Sequence, residues 1–299
     1  MDVRAFHPED RARAQIDAKL AASGWIVQNR NEMNLSAGLG VAVREFATSQ
    51  GPADYMLFVD SVMCGAIEAK ADGTTLSGFS EQAAGYLSGA PDYLPGAPEQ
   101  RRFEYVSTGM ETIFRDLADP ESRSRRVFTF HRPETLRLWL SQPETLRARL
   151  RHMPPLVTEG LRVCQIEAIA GLEKSLARDD PRALIQMTMG AGKTFTACTA
   201  SYRLLSHAGV RRILFLVDRR NLGNQTATEY AGYSPPGTGR LFPELYGVQK
   251  LGPAGLDHNA AIVISTIQRV YSVLTGKELA EEDEDASAFE RAEDELKLV

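Results

Sequence analysis

The stretch MTMGAGKTFTA, Met187 to Ala197, constrains this chain more than any other. It lies between an apolar run, Ala183 to Met187, that predicts a strand and a pattern from Lys193 to Ser206 that predicts a helix. Gly190 and Gly192, flanking Ala191, let the backbone turn tightly, so that its amides can point at phosphate oxygens. The helix that follows adds the positive end of its dipole. In such a loop Lys193 reaches the β/γ-phosphates, and the Thr194 hydroxyl serves a magnesium ion. Met187 stands where the strict GxxxxGK[ST] pattern has glycine, but the GxGKT core is intact. A glycine turn with a surface lysine is the plain alternative, and the preceding apolar strand argues against it. A helix over 162–177 and strands over 213–217 and 261–265 complete a grammar of strands separated by helices. That grammar predicts a parallel sheet of βαβ type.

Met153-Pro154-Pro155 marks the expected boundary, giving domains over 1–152 and 153–299. In the first, the pattern predicts helices over 7–23, 77–88 and 133–150, and strands over 25–27, 55–59, 63–69, 105–107 and 127–130, with Asp60-Ser61 as a turn. A chain of 299 residues with 43% hydrophobic content can bury a core in each half. Three scattered cysteines suit a reducing compartment better than a disulfide framework. The N-terminus has no apolar signal segment and no run is long enough to span a bilayer, so a cytoplasmic protein without membrane contact is expected. The formal charge of −5 seems to disfavour nucleic acid, yet it is local. Glu281 to Val299 holds nine acidic and two basic residues, and the remainder carries +2. Arg101 to Arg151 holds eleven arginines against seven acids. Bulk charge therefore excludes little about DNA binding, although a solvated arginine-rich surface explains it equally.

The second constellation lies in PADYMLFVDSVMCGAIEAK, Pro52 to Lys70. Residues i and i+2 of a strand share a face, so Glu68 and Lys70 project together. Asp54 starts the preceding strand, and a hairpin would bring it alongside. Two carboxylates can hold a hard cation through oxygen, with waters completing the shell. A surface hairpin with an ordinary ion pair fits the bare pattern as well. Against that, Lys70 ends an apolar strand, and Gln82 and Tyr86 follow at i and i+4 on one helix face.

Asp54, Glu68-Ala69-Lys70 and Gln82-x-x-x-Tyr86 resemble the PD-(D/E)xK nuclease core with the QxxxY motif of its RecB-like branch. Followed by a helicase-type phosphate loop, they resemble the restriction (motor) subunit of type I restriction–modification enzymes. ARAQIDAKLAASGW, RVFTFHRPETLRLWL, ILFLVDRRNLGNQ and VISTIQRVYSVL fit the same family, in its order. The resemblance implies an α/β chain: a nuclease domain with a mixed sheet flanked by helices, then a partial RecA-like lobe with a parallel sheet. It implies ATP-driven DNA translocation coupled to Mg2+-dependent cleavage of unmodified double-stranded DNA, alongside a DNA specificity subunit and a DNA methyltransferase subunit. Asp54 and Glu68 would be metal ligands, Lys70 the catalytic lysine, and Gln82 and Tyr86 positioning groups. Gln165, beside Arg162, resembles the glutamine that reads adenine in superfamily-two helicases, with Cys164 where an aromatic is usual. A surface glutamine on a helix is its plain alternative.

The ends of two predicted strands, Asp218-Arg219 and Thr266 with Gln268 and Arg269, stand where a helicase loop would face DNA phosphates, although either cluster alone is more often a solvated loop. His131 and Arg132 are expected to shape a turn before Pro133, and Glu9 is either an acid near the metal or a helix N-terminal charge. No DEAD-like acidic motif follows an apolar strand after Ser265; EEDED, Glu281 to Asp285, reads as a solvated segment. The 299 residues are therefore expected to be the N-terminal part of a larger subunit or a truncated reading frame, with little ATPase turnover. A non-catalytic remnant that binds DNA or partner subunits, and a solitary helicase or NTPase with an accessory N-terminal domain, are the competing expectations.

Overall fold

The structure, a computed structural model, describes residues 8–76 and 80–279. The acidic segment from Glu281 and the side chains of Glu9 and Gln82 lie outside the described residues. The chain divides into two compact units, Met1–Thr145 and Leu146–Val299.

The first unit contains α1 (Pro8–Ala22), β1 (Ile26–Asn29), β2 (Gly40–Thr48), β3 (Gly51–Val59), β4 (Val62–Ala69), α2 (Ser80–Ser88), β5 (Phe103–Ser107), β6 (Thr112–Asp116), β7 (Arg125–Val127) and α3 (Pro133–Ser141). Among the described residues the strands form one seven-stranded sheet in sequence order. Its pairings are mixed: β1–β2 and β4–β5 are parallel, and the rest antiparallel. Ala12, Ile16 and Leu20 recur at helical spacing and are buried, so α1 presents one apolar stripe. Ile16 and Leu20 meet Tyr55, Leu57 and Ile67 on one sheet face, where Leu136 and Trp139 of α3 also pack. Each such side chain contributes about 1.5–3 kcal/mol by leaving water. The opposite face holds Met56, Phe58 and Ala66 against Tyr86, Leu87 and Ala90. β3 and β4 are joined by Asp60 and Ser61, both at positive φ. Such two-residue connections match the right-handed twist of a hairpin. Gly65 is required where β4 meets β5, because a Cβ there would strike the Phe103 carbonyl.

The second unit contains α4 (Leu146–Arg151), α5 (Val163–Ala177), α6 (Lys193–Ser206), β8 (Ile213–Val217), α7 (Arg220–Gly232), α8 (Phe242–Leu245), β9 (Gly247–Lys250), β10 (Ala260–Thr266) and α9 (Ile267–Thr275). Its sheet among the described residues is parallel, in the order β8-β10-β9. Cys198, Tyr230, Phe242, Ile262 and Ile264 form its main core.

Several expectations need correction. The helix expected over 133–150 is two helices. Pro143 disfavours the helical region at Gln142, whose ψ of 135° ends α3. α4 packs on α5, and the division therefore falls at Thr145/Leu146 rather than after residue 152. The strand expected over 183–187 does not form: the segment pairs with nothing in the sheet and Leu184 is 93% exposed. Ile185 and Met187 instead line a cavity of about 320 Å3 with Ile169, Thr196, Ala200 and Ile213. An apolar run suggests a strand, but pairing needs a neighbouring strand edge that the run itself does not encode.

Candidate functional site

The antiparallel hairpin places the start of β3 opposite the end of β4, with Tyr55 paired to Ile67. Asp54 therefore reaches the last residues of β4, and its Oδ2 accepts a hydrogen bond from the Ala69 amide at 2.8 Å. Ile67 belongs to the α1 side of the sheet, so by alternation Glu68 belongs to the α2 side. Its carboxylate is 4% exposed. Lys70 Nζ donates to Glu68 Oε1 at 2.6 Å, and the Lys70 amide donates to the Ser107 carbonyl at 2.9 Å. The structure thus brings Asp54, Glu68 and Lys70 together at one end of the hairpin. Tyr86 is buried in α2, packed into the core of the same sheet face.

The donor set suits a hard cation. Glu68 Oε2 is buried and has no hydrogen-bond partner, a costly arrangement that a bound cation would relieve. Among the described residues no group of three His, Cys, Asp or Glu side chains that could hold a metal converges, so a cation here would need water to complete its shell. Asp54 Oδ1 is already engaged, by Arg13 Nη2 of α1 at 2.7 Å. Sequence reasoning missed this arginine and its second partner, Glu45, at 3.2 Å from Arg13 Nη1. Neither carries a local signal, since a helix arginine and a strand glutamate read as solvated charges. Two residues beyond Lys70, a cleft of about 790 Å3 begins at Asp72 and runs between the 72–76 loop and β6, past Thr108, Arg125 and Arg126.

In the second unit the residues expected to form a phosphate loop lie at the start of α6. Gly190 and Gly192 have φ of 74° and 82°, a region natural for glycine. Lys193 Nζ folds back onto the Thr188 and Met187 carbonyls, at 3.1 and 3.5 Å. Thr194 is half-buried beside it. Arg162 Nη1 donates to the Gly190 carbonyl at 2.9 Å. Gln165 is buried against the loop: its Nε2 donates to the Ala191 carbonyl at 3.1 Å, and its Oε1 accepts from the Arg162 amide at 2.9 Å. Both ends of this amide are used within the chain, so here Gln165 braces the loop. The strand-end residues divide. Asp218 and Arg219 are exposed beyond β8, whereas Thr266 caps α9 by accepting from the Arg269 amide, and both are buried. His131 packs among Phe114, Tyr105 and Trp139, and its carbonyl accepts from Trp25 Nε1 at 2.9 Å, which fixes the turn into α3.

Comparison with known proteins gives a family match in the second unit. Residues 159–292 match the family described as type III restriction enzyme, res subunit (ResIII). Individual relatives are more specific. The chain is 26% identical over 311 aligned residues to the type I restriction enzyme EcoKI endonuclease subunit of Escherichia coli K12, which covers 87% of this chain and 26% of that protein. It is 26% identical over 116 residues to the SauCOLORF180P endonuclease subunit of Staphylococcus aureus COL, covering 39% of this chain and 12% of that protein. A solved fragment of a putative HsdR subunit of a type I restriction enzyme from Vibrio vulnificus YJ016 is 20% identical, covers 91% of this chain and 49% of that chain, and superposes with a TM-score of 0.34. The chain is thus similar to type I restriction endonuclease subunits and carries a ResIII match in its second unit. It spans about a quarter of the EcoKI subunit's length. Among the described residues no helix is long and apolar enough to cross a membrane.

Proposed function

We propose that the chain is the nuclease domain and part of the first motor lobe of a type I restriction subunit. Its first unit cuts double-stranded DNA with magnesium, and its second binds ATP for translocation. The observation that carries this reading is that Asp54 accepts from the Ala69 amide, next in sequence to the Glu68–Lys70 ion pair, while Glu68 keeps one buried oxygen without a partner. Asp54 and Glu68 would hold Mg2+. When bound, the ion supplies Lewis-acid stabilisation at the scissile phosphate and a more acidic water. Lys70, oriented by Glu68, places its ammonium where negative charge develops on the phosphate. Arg125 and Arg126 line the adjoining cleft and give the DNA backbone cationic partners. In the second unit Lys193 and Thr194 serve the nucleotide phosphates and their magnesium. Partner specificity and methyltransferase subunits, a cytoplasmic setting, and the roles of Gln82 and Tyr86 belong to the same proposal.

The test is nicking of supercoiled plasmid by the purified chain in Mg2+, with EDTA as control. Folded Asp54→Ala and Lys70→Ala proteins are expected to lose at least about 100-fold in rate, as befits removal of electrostatic stabilisation. Undiminished nicking in both removes the site.

A further inference from the structure

We propose that Arg13 and Glu45 form a latch that keeps Asp54 closed to a divalent cation until the cation displaces it. The inference rests on the reading of Asp54 as a cation ligand. Each Asp54 oxygen already accepts a hydrogen bond, Oδ2 from the Ala69 amide and Oδ1 from Arg13 Nη2 at 2.7 Å. Glu68, by contrast, keeps one buried oxygen without a partner. Both carboxylates carry a protein cation, Lys70 on Glu68 and Arg13 on Asp54, but only Glu68 keeps an oxygen with no partner. A guanidinium cannot discharge by losing its proton, so the positive charge beside Asp54 Oδ1 is removed only by displacing Arg13.

Glu45 gives the displaced arginine somewhere to stay. Arg44 pairs with Tyr55 and Phe46 with Ala53, which leaves Glu45 facing Asp54 across β2 and β3. Its backbone is at φ 50°, the left-handed region that a glutamate seldom adopts. Such outliers persist where the surroundings impose them, often beside functional groups. The Glu45 side chain is 68% exposed and touches Arg13 Nη1 at 3.2 Å. Because no three carboxylates converge among the described residues, Glu45 acts on Arg13 and is not a third ligand. Both are positioning residues. In the closed state the guanidinium bridges Asp54 and Glu45. In the open state it keeps Glu45 alone, and Asp54 turns to the cation.

Manganese(II) binding to the full 299-residue chain, without nucleotide, tests this by calorimetry or by the electron spin resonance of free Mn2+. Arg13→Met is expected to tighten binding roughly fivefold, about the worth of one partly exposed ion pair. Glu45→Gln alone should weaken it, because Arg13 then has only Asp54. In the Arg13→Met background Glu45→Gln should have no effect, and this double-mutant coupling separates a latch from a simple loss of negative charge. Arg13→Lys, which keeps the charge, should stay near the native affinity. If Arg13→Met does not fold, Arg13→Gln carries the same expectation. Unchanged or weaker binding on removal of Arg13, or a Glu45→Gln effect that survives in that background, overturns the latch. Asp54→Asn tests the underlying reading separately: native-like Mn2+ affinity in that variant removes Asp54 as a ligand, whereas its loss alongside an unchanged Arg13→Met removes only the latch.

Discussion

At the scale of single residues, the first unit buries two titrating groups whose effects on stability oppose each other. Glu104 on β5 is 1% exposed, and neither carboxylate oxygen has a hydrogen-bond partner. Burial pushes its carboxyl up to about 7, with Arg115 Nη1 at 3.7 Å from Oε2 opposing the rise. The folded state therefore holds this proton more tightly than the unfolded chain, where the group ionises near the ordinary carboxylate value. Stability from Glu104 is present in acid and is lost as pH rises through about 7. His131 runs the other way. Burial, then Arg125, lowers its pKa to about 4, so its contribution is lost as pH falls through the interval from the ordinary histidine value to that one. Glu104→Gln should remove the first dependence. Urea denaturation across pH should show the variant gaining about 2 kcal/mol on wild type between pH 4 and pH 8; parallel curves would mean that Glu104 does not titrate in this window. The two kinds of residue also differ in how far the sequence reveals them. Asp54, Glu68 and Lys70 are legible because a hairpin and the two-residue period of a strand fix their meeting. Arg13 reaches Asp54 from 41 residues away on a helix, and no local pattern encodes that meeting.

At the scale of elements, the glycine loop before α6, the proposed phosphate loop, is held by contacts within its own chain. Lys193 rests on loop carbonyls, and Arg162 and Gln165 hold the Gly190 and Ala191 carbonyls. Nucleotide phosphates would draw Lys193 away and order the amides around it. Hydrogen exchange at residues 188–194 should therefore slow on adding millimolar ATP, and Lys193→Ala should abolish the slowing. Gly192→Ala should do the same and weaken ATP binding at least roughly tenfold, because a Cβ there meets the Gln165 amide and must adopt φ 82°. Unchanged exchange with ATP would leave the loop without a nucleotide. The helices α1, α5 and α6 and the strands β3, β4, β8 and β10 were all legible, since each carries its own periodicity or apolar run. β2 and β6 were missed. Each is placed through long-range pairing, β2 with β3 and β6 with β5. The 183–187 segment fails for the converse reason: its apolar residues promise a strand, but no strand edge pairs with them, and only Ile185 and Met187 reach the cavity.

At the scale of the whole molecule, each unit has its own hydrophobic clusters, and the two proposed ligands fall in different units. A ligand stabilises only the folded part that binds it, by about 2.7 kcal/mol at a hundred times its dissociation constant. For units of this size each kcal/mol raises a melting temperature by about 2–4 °C. Scanning calorimetry should then show Mn2+ raising the transition of the first unit and ATP that of the second. Asp54→Asn should cancel the first shift and leave the second, and Lys193→Ala should do the reverse. Such a double dissociation would assign each ligand to its unit without relying on catalysis. That independence matters because a chain spanning about a quarter of the EcoKI subunit need not turn over ATP for its nucleotide site to be real. If both ligands raised one shared transition and each variant cancelled both shifts, the two sites would not be thermodynamically separate. The assignment of cleavage to one unit and nucleotide binding to the other would then fail.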